Sequence, residues 1–285
     1  MTARAARALP PSAVPEGRRL LAIASAALPE HDPEQVCATA ALSGLTAVEW
    51  GAGPGQALPL DAPDAAVRRL VEATSGAGLL CCGLSVHDDV VLASPLGVWQ
   101  RLVAAAASLG APHLRVYACP PQGTFAEDFA LLRERFAALA RIAAAHDLRL
   151  LIEPAPGTLV PGVVLARDAL SGLTPRHAGV VYDPGSLARE GWLDPFLAVD
   201  VLGEMLSHVH VKNTAPQRTP EGGWTWQRAS LDSGIVHWAR VFAALRQARY
   251  AGWIVLDHLS SREGDSLRRD LAHLRTHWGE ESHGD

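Results

Sequence analysis

Eight short apolar segments alternate along the chain with longer segments of helical composition. Runs rich in Leu, Ile and Val predict β-strands at 20–24, 45–50, 79–87, 113–117, 149–153, 179–183, 207–213 and 253–257. Spaced apolar residues between them predict helices at 33–42, 64–74, 96–109, 125–146, 164–170, from 194, at 236–249 and at 266–278. Strands that alternate with helices predict a parallel sheet covered by helices.

Eight strand-then-helix units in about 265 residues match the size of a (β/α)8 barrel. We therefore predict the α/β class and a single-domain (β/α)8 TIM barrel at residues 19–285, after a flexible tail at 1–18. The tail lacks the continuous apolar core of a secretion signal. An open doubly wound sheet is disfavoured because no G-x-G-x-x-G follows the first strand. We expect a long loop, rich in Gly and Trp, after the seventh strand.

The seventh strand, S-H-V-H-V-K-N, has one polar and one apolar face. Side chains alternate along a strand, so His208, His210 and Lys212 share one face while Val209 and Val211 share the other. An inner barrel strand fits this pattern, with its apolar face against helices and its polar face near an active-site mouth. A half-exposed edge strand is the alternative interpretation.

Polar residues close the last four predicted strands: Glu153, Asp183, His210 and Asp257. In such a barrel the active site lies at the carboxyl ends of the strands. Neighbouring strands are about 4.8 Å apart, so inward side chains from consecutive strands can converge. Three carboxylates placed together repel one another, and a divalent cation would neutralise them. The sequence therefore predicts a metal site.

The amino-acid composition argues against nucleic acid and membranes as partners. The 285 residues are 48% hydrophobic with a formal net charge of -5, and an acidic chain does not favour nucleic acid as a partner. The four cysteines show no C-x-x-C spacing, which predicts reduced thiols in a cytoplasmic protein. No apolar run approaches the roughly 20 residues of a membrane span, so no membrane partner is expected.

Four motifs, L-I-E-P, Y-D-P-G, H-V-H-V-K-N and A-G-W-I-V-L-D-H, occur in this order on strands five to eight. Together they make the chain resemble the xylose isomerase-like sugar phosphate isomerase/epimerase family of barrels. The resemblance implies that Glu153, Asp183, His210 and Asp257 bind one divalent metal ion, and that Glu153 and Asp257 also act as acid and base. A carboxylate-rich site with one imidazole favours Mn²⁺, with Mg²⁺, Co²⁺ and Zn²⁺ as alternatives.

Two positions depart from the family pattern. Asp257 stands where the family usually has glutamate, and the missing methylene would withdraw the carboxylate by roughly 1.3 Å. Asp257 would then bind metal but serve poorly as a base, and His258 or Lys212 would take over proton transfer. Ser186 stands where epimerase relatives often carry a substrate-contacting histidine, so substrate recognition is expected to differ.

Several residues are candidates for contact with substrate. Glu49 and His87 close strands two and three, and Lys212 follows His210 on the polar face of strand seven. Sugar rings stack on tryptophans, several of which follow strands six and seven. The predicted substrate-binding set is Glu49, His87, Lys212, Ser186, Trp192 and Arg228.

The resemblance implies an isomerase or epimerase that acts on a sugar, sugar acid, keto-inositol or related polyhydroxylated compound. Proton loss next to a carbonyl would give a metal-stabilised enediolate. Two alternatives use the same residues: a lyase or dehydratase, and a non-catalytic assisting subunit of a larger enzyme. An abasic-site endonuclease is disfavoured because no D-x-H follows the seventh-strand histidine. The sequence does not determine the oligomeric state, and a homo-oligomer is compatible with it.

Overall fold

The computed structural model describes residues 20–87, 94–191, 193–261 and 264–278. The barrel strands are β1 (Leu21–Ala24), β2 (Ala47–Ala52), β3 (Leu80–Val86), β4 (His113–Tyr117), β5 (Arg149–Glu153), β6 (Ala178–Tyr182), β7 (Leu206–Val211) and β10 (Ile254–Leu256). These eight parallel strands form a closed barrel in the order β1-β10-β7-β6-β5-β4-β3-β2, which confirms the predicted (β/α)8 fold. The predicted tail at 1–18 lies outside the described residues.

Helices follow the strands and cover the outside of the barrel. They are α1 (Pro33–Leu42), α2 (Asp64–Gly76), α3 (Leu96–Ser108), α4 (Phe125–Ala144), α5 (Val163–Ala169), α6 (Pro184–Leu187), α7 (Pro195–Leu202), α8 (Trp238–Gln247) and α9 (Gly264–Trp278). Within the described ranges, no helix is both long and apolar enough to cross a bilayer.

Local sequence fixes where several helices begin. Asp32 accepts a hydrogen bond from the Gln35 backbone, and the Gln35 side chain accepts one from the Asp32 backbone, which closes a capping box before α1. Asp194 caps α7, whose first residue is Pro195. Each such cap stabilises a helix by about 1 kcal/mol.

Two apolar layers explain the alternation along the strands. Outward residues such as Val209 and Val211 join the large layer between strands and helices. A smaller cluster fills part of the barrel interior with Ala22, Ala47 and Val255 among its members. Small side chains in the interior leave room for large polar groups from the neighbouring strands.

The segment after β7 corrects one prediction. The expected long loop is instead an antiparallel hairpin, formed by β8 (Asn213–Arg218) and β9 (Trp224–Ala229). The turn between them uses Gly222 with φ +85°, a conformation that glycine adopts without strain. The prediction of a loop was wrong because the two strands pair only with each other and are largely exposed beyond the buried Asn213 and Thr214, so no buried apolar pattern marks them.

Candidate metal centre

The four predicted ligands lie at the carboxyl ends of adjacent barrel strands. Glu153 ends β5, Asp183 follows β6, His210 lies near the end of β7 and Asp257 follows β10. All four are buried. Glu153, Asp183 and His210 each offer a ligand atom, and these three atoms lie within 4.8 Å of one another. Barrel closure therefore brings together groups from three strands on one side of the mouth.

Glu49 orients the His210 imidazole. Nε2 of His210 lies 3.1 Å from both carboxylate oxygens of Glu49, so Nε2 carries the proton that is donated to Glu49. Nδ1 faces Glu153 Oε2, 3.3 Å away, and is the ring nitrogen left for a metal. Histidines that bind metals are typically held in this way, by a carboxylate on the other ring nitrogen.

Lys212 lies in the middle of the carboxylates. Its Nζ is 2.5 Å from Asp183 Oδ2, 2.7 Å from Asp257 Oδ2 and 3.9 Å from Glu153 Oε1. Burial opposes the charge, but the three carboxylates outweigh it and hold the pKa of Lys212 well above its usual range. The site therefore attracts positive charge strongly enough to draw an ammonium group into it.

The sequence reasoning missed Arg115, which lies on β4 and is fully buried. Its Nε is 3.0 Å from Glu153 Oε2 and 3.1 Å from Ser85 Oγ, and the Ser85 hydroxyl donates to Glu49. Alternation in H-L-R-V-Y at 113–117 is the signal that was available, because it places the arginine on the same face as two other polar side chains.

The balance of buried charge fits a divalent cation. Four carboxylates lie buried around the mouth: Glu49, Glu153, Asp183 and Asp257. Arg115 and Lys212 supply two positive charges. Burial opposes a charge on His210, but Glu49 and then Glu153 outweigh it and hold the pKa of His210 well above its usual range. Two negative charges therefore remain once a metal has displaced the proton from His210. Glu153 Oε1 is buried without a hydrogen bond, and Glu153 Oε2 has only its ion pairs with Arg115 and His210. A buried polar atom without a hydrogen bond is costly. A divalent cation between Glu153 and His210 would remove both costs.

Two carboxyl groups in the cluster have opposite pKa shifts. Burial raises the pKa of Glu153, but Arg115 and then His210 outweigh it and lower that pKa to about 2. Burial also raises the pKa of Asp183, and Lys212 only partly compensates, so that pKa stays above its ordinary value. Glu153 is therefore ionised across the neutral range.

Asp257 stands slightly apart from the other three groups. Its Oδ1 is 3.8 Å from His210 Nδ1 and has no hydrogen bond. Its Oδ2 is 2.9 Å from His258 Nδ1 and also meets Lys212. Ligands at right angles on a metal at about 2.1 Å would be about 3.0 Å apart. The aspartate carboxylate is therefore about 0.8 Å too far from His210 for that arrangement.

The predicted substrate residues fall into two groups. Ser186 donates from its backbone N and from its hydroxyl to Asp183, and His87 Nε2 is 3.3 Å from the Arg115 guanidinium; Glu49 and Lys212 belong to the cluster as described. Arg228 is exposed on β9, opposite Thr214 in the hairpin that follows Lys212, and its contact with substrate stays a prediction. Trp192 lies outside the described residues.

A family model described as the xylose isomerase-like TIM barrel matches residues 37–277. The chain belongs to this family. Among solved structures of the xylose isomerase-like fold, the chain is similar to a 3-keto-D-glucoside 4-epimerase from E. coli, at 17% identity and a TM-score of 0.72 over 91% of this chain and 100% of that one.

Two further structures share the fold of this family member. A D-psicose 3-epimerase crystallised with D-fructose has 14% identity and a TM-score of 0.73, with 91% of this chain and 99% of that one covered. A Mycobacterium smegmatis xylose isomerase-like TIM barrel protein in complex with magnesium has 16% identity and a TM-score of 0.66, with 88% and 90% covered. No curated protein sequence matches the chain.

Proposed function

We propose that this protein is a divalent-metal-dependent isomerase or epimerase that acts on a sugar or related polyhydroxylated carbonyl compound. One observation carries the proposal: Glu153, Asp183 and His210 offer ligand atoms within 4.8 Å of one another at the mouth of the barrel. Structures with the same fold include sugar epimerases and a magnesium complex. Mn²⁺ is the metal we propose, because carboxylates outnumber imidazoles in the site.

A divalent cation in this site would polarise the carbonyl and hydroxyl oxygens of the substrate and stabilise negative charge on them. The protein's own groups set the geometry around it. Glu49 holds His210 through Nε2, and Arg115 restrains the Glu153 carboxylate through Oε2. Because these groups are buried and packed, they need little rearrangement when substrate binds.

We assign proton transfer to Glu153 and Asp257. They come from β5 and β10, which are separated in the barrel by β6 and β7, so they approach the centre from different directions. Glu153 is ionised and can accept a proton. Asp257 contacts both Lys212 and His258. Either of these two groups can return a proton to the substrate, directly or by way of the Asp257 carboxylate. His87 and Lys212, near the same cluster, would hydrogen-bond substrate hydroxyls.

The test is solvent exchange with a panel of keto-sugars and keto-inositols in D₂O, using protein loaded with Mn²⁺. We expect deuterium to enter the carbon next to the carbonyl without loss of water. Glu153→Gln keeps the shape of the side chain, and it should lower exchange by at least about 100-fold and also weaken metal binding. The matched control is Glu134→Gln, an exposed position on α4, which should exchange like wild type.

Two outcomes would support a different function. Loss of water from the substrate would show a lyase instead. If metal analysis finds well under one divalent ion per chain after incubation with Mn²⁺, the non-catalytic subunit becomes the better interpretation. Full exchange activity in Glu153→Gln would refute the assigned role of that carboxylate.

A further inference from the structure

A second polar site lies at the other end of the barrel, where the strands begin. A cavity of about 570 Å³ opens there, and its wall includes Leu80, His113, Arg149, Ser207 and Trp253. Arg149 begins β5 and Glu153 ends it. Four steps of about 3.3 Å along the strand separate the two residues by about 13 Å, so the cavity is distinct from the candidate metal centre.

Arg149 gives this cavity a positive charge without a counter-charge. Its guanidinium donates to Ser207 Oγ at 2.6 Å and to the Ala178 carbonyl at 3.2 Å. Its Nε is buried without a partner. Among the described residues, no carboxylate oxygen lies within 4.0 Å of it. A largely buried cation normally pairs with an anion, because the lost hydration must be replaced.

Two histidines extend the polar wall. His113 and His208 both line the cavity and are 4% and 0% exposed, and His113 Nε2 and His208 Nδ1 are buried without hydrogen bonds. Gly83 makes room for the His113 ring, because a Cβ there would overlap Nε2. Nε2 of His208 lies 2.6 Å from Glu49, so its free Nδ1 is suited to accept a hydrogen bond from a ligand hydroxyl.

The rim of the cavity, like its depth, carries more basic than acidic side chains. Arg176 and His177 line the cavity and are exposed, and Asp147 is the only acidic residue among the lining residues. Cations and hydrogen-bond donors therefore outnumber acidic groups among the polar side chains of this cavity. Groups of this kind recognise an oxyanion, because guanidinium and imidazole N–H groups match its acceptor oxygens.

We propose that this cavity binds a small oxyanion, a phosphate or carboxylate group, between Arg149 and His113. The volume exceeds that of the bare ion, so the group would belong to a small metabolite or be accompanied by water. The site does not depend on the proposed function, since it shares no lining residue with the four predicted metal ligands.

The experiment is calorimetric titration of the EDTA-treated full chain with sodium phosphate, and separately with sodium acetate, at constant ionic strength set by chloride. Saturable binding of one of the two anions is expected, and the anion that binds distinguishes a phosphoryl from a carboxylate ligand. Arg149→Gln should weaken that binding by at least about tenfold, while Arg141→Gln, on the exposed face of α4 and outside the cavity, should keep the wild-type affinity. Loss in Arg141→Gln with retention in Arg149→Gln would overturn the proposal, as would no saturable binding of either anion.

A second variant keeps the test valid if Arg149→Gln misfolds, because Arg149 also donates a hydrogen bond to Ser207. Arg176→Gln changes an exposed rim residue and should weaken binding several-fold with an unchanged thermal midpoint. The control is Arg141→Gln, an exposed arginine on α4 that does not line the cavity. If Arg176→Gln and Arg141→Gln bind the anion equally, the rim plays no part, and unchanged binding in Arg149→Gln as well would refute the site.

Discussion

Asp257→Glu tests the geometry of the candidate metal centre most directly. Asp257 Oδ1 is 3.8 Å from His210 Nδ1, whereas neighbouring ligands of a metal at about 2.1 Å are about 3.0 Å apart. The shortfall is about 0.8 Å. One extra methylene extends a side chain by roughly 1.3 Å, so a glutamate can cover this gap without backbone movement.

The expected result is tighter metal binding. A carboxylate that reaches the cation adds one ligand, and even groups that only support a ligand change metal affinity by about 10-fold to 100-fold. We therefore expect the Kd of Mn²⁺ to fall by at least about tenfold in Asp257→Glu, which is about 1.4 kcal/mol. Asp257→Asn should raise the Kd, because it removes a negative charge next to the cation and keeps the shorter side chain.

The assay is calorimetric titration of EDTA-treated protein with Mn²⁺, repeated with Mg²⁺ and Zn²⁺. Asp200→Glu, on the exposed side of α7, adds the same methylene away from the site and serves as the control. If Asp257→Glu binds Mn²⁺ no more tightly than wild type while Asp257→Asn binds equally well, Asp257 is not a ligand and the distance argument fails.

Two further predictions follow from other buried charges. Lys212→Met should lower the free energy of unfolding of the metal-free protein by about 3 kcal/mol, and its thermal midpoint with it, because breaking a buried pair leaves carboxylates without a partner. The rise in thermal midpoint on adding Mn²⁺ should be larger in this variant than in wild type. An equal or smaller rise would refute competition between the ammonium group and the metal. Burial and then Asp232 raise the pKa of Asp270 to about 6, so the native state binds more protons than the unfolded state between about pH 4 and pH 6, and stability falls as pH rises through this window. Asp270→Asn can still accept from the Leu231 backbone and should lose this pH dependence in urea unfolding; an unchanged slope would contradict the shift.

The site was only partly predictable from the chain. The order of Glu153, Asp183, His210 and Asp257 at strand ends is a local pattern, readable from apolar runs that stop at a polar residue. Arg115 was missed because a charged residue inside a short strand gives no sign of its partners. Its contact with Glu153 joins β4 to β5, and that pairing exists only in the closed sheet.

Irregularities in the strands also limit what alternation can predict. On β3, Leu80 and Cys82 belong with the interior cluster, whereas Leu84 and Val86 pack outside and Ser85 turns inward to Glu49. The register between β2 and β3 shifts next to Glu49. An inserted residue reverses the faces of every later side chain in the strand, so strict alternation would point Ser85 away from the site.

The sequence by itself determined the succession of strands and helices, the capped helix starts and the polar strand ends, because hydrophobic period and capping are local properties of the chain. Only the tertiary structure decided which groups meet. Barrel closure joins Glu49 to His208 and His210 across about 160 residues and places Lys212 among three carboxylates. It also leaves Arg149 facing a cavity without a counter-charge. These pairings depend on register and twist summed over eight strands, which no local pattern encodes.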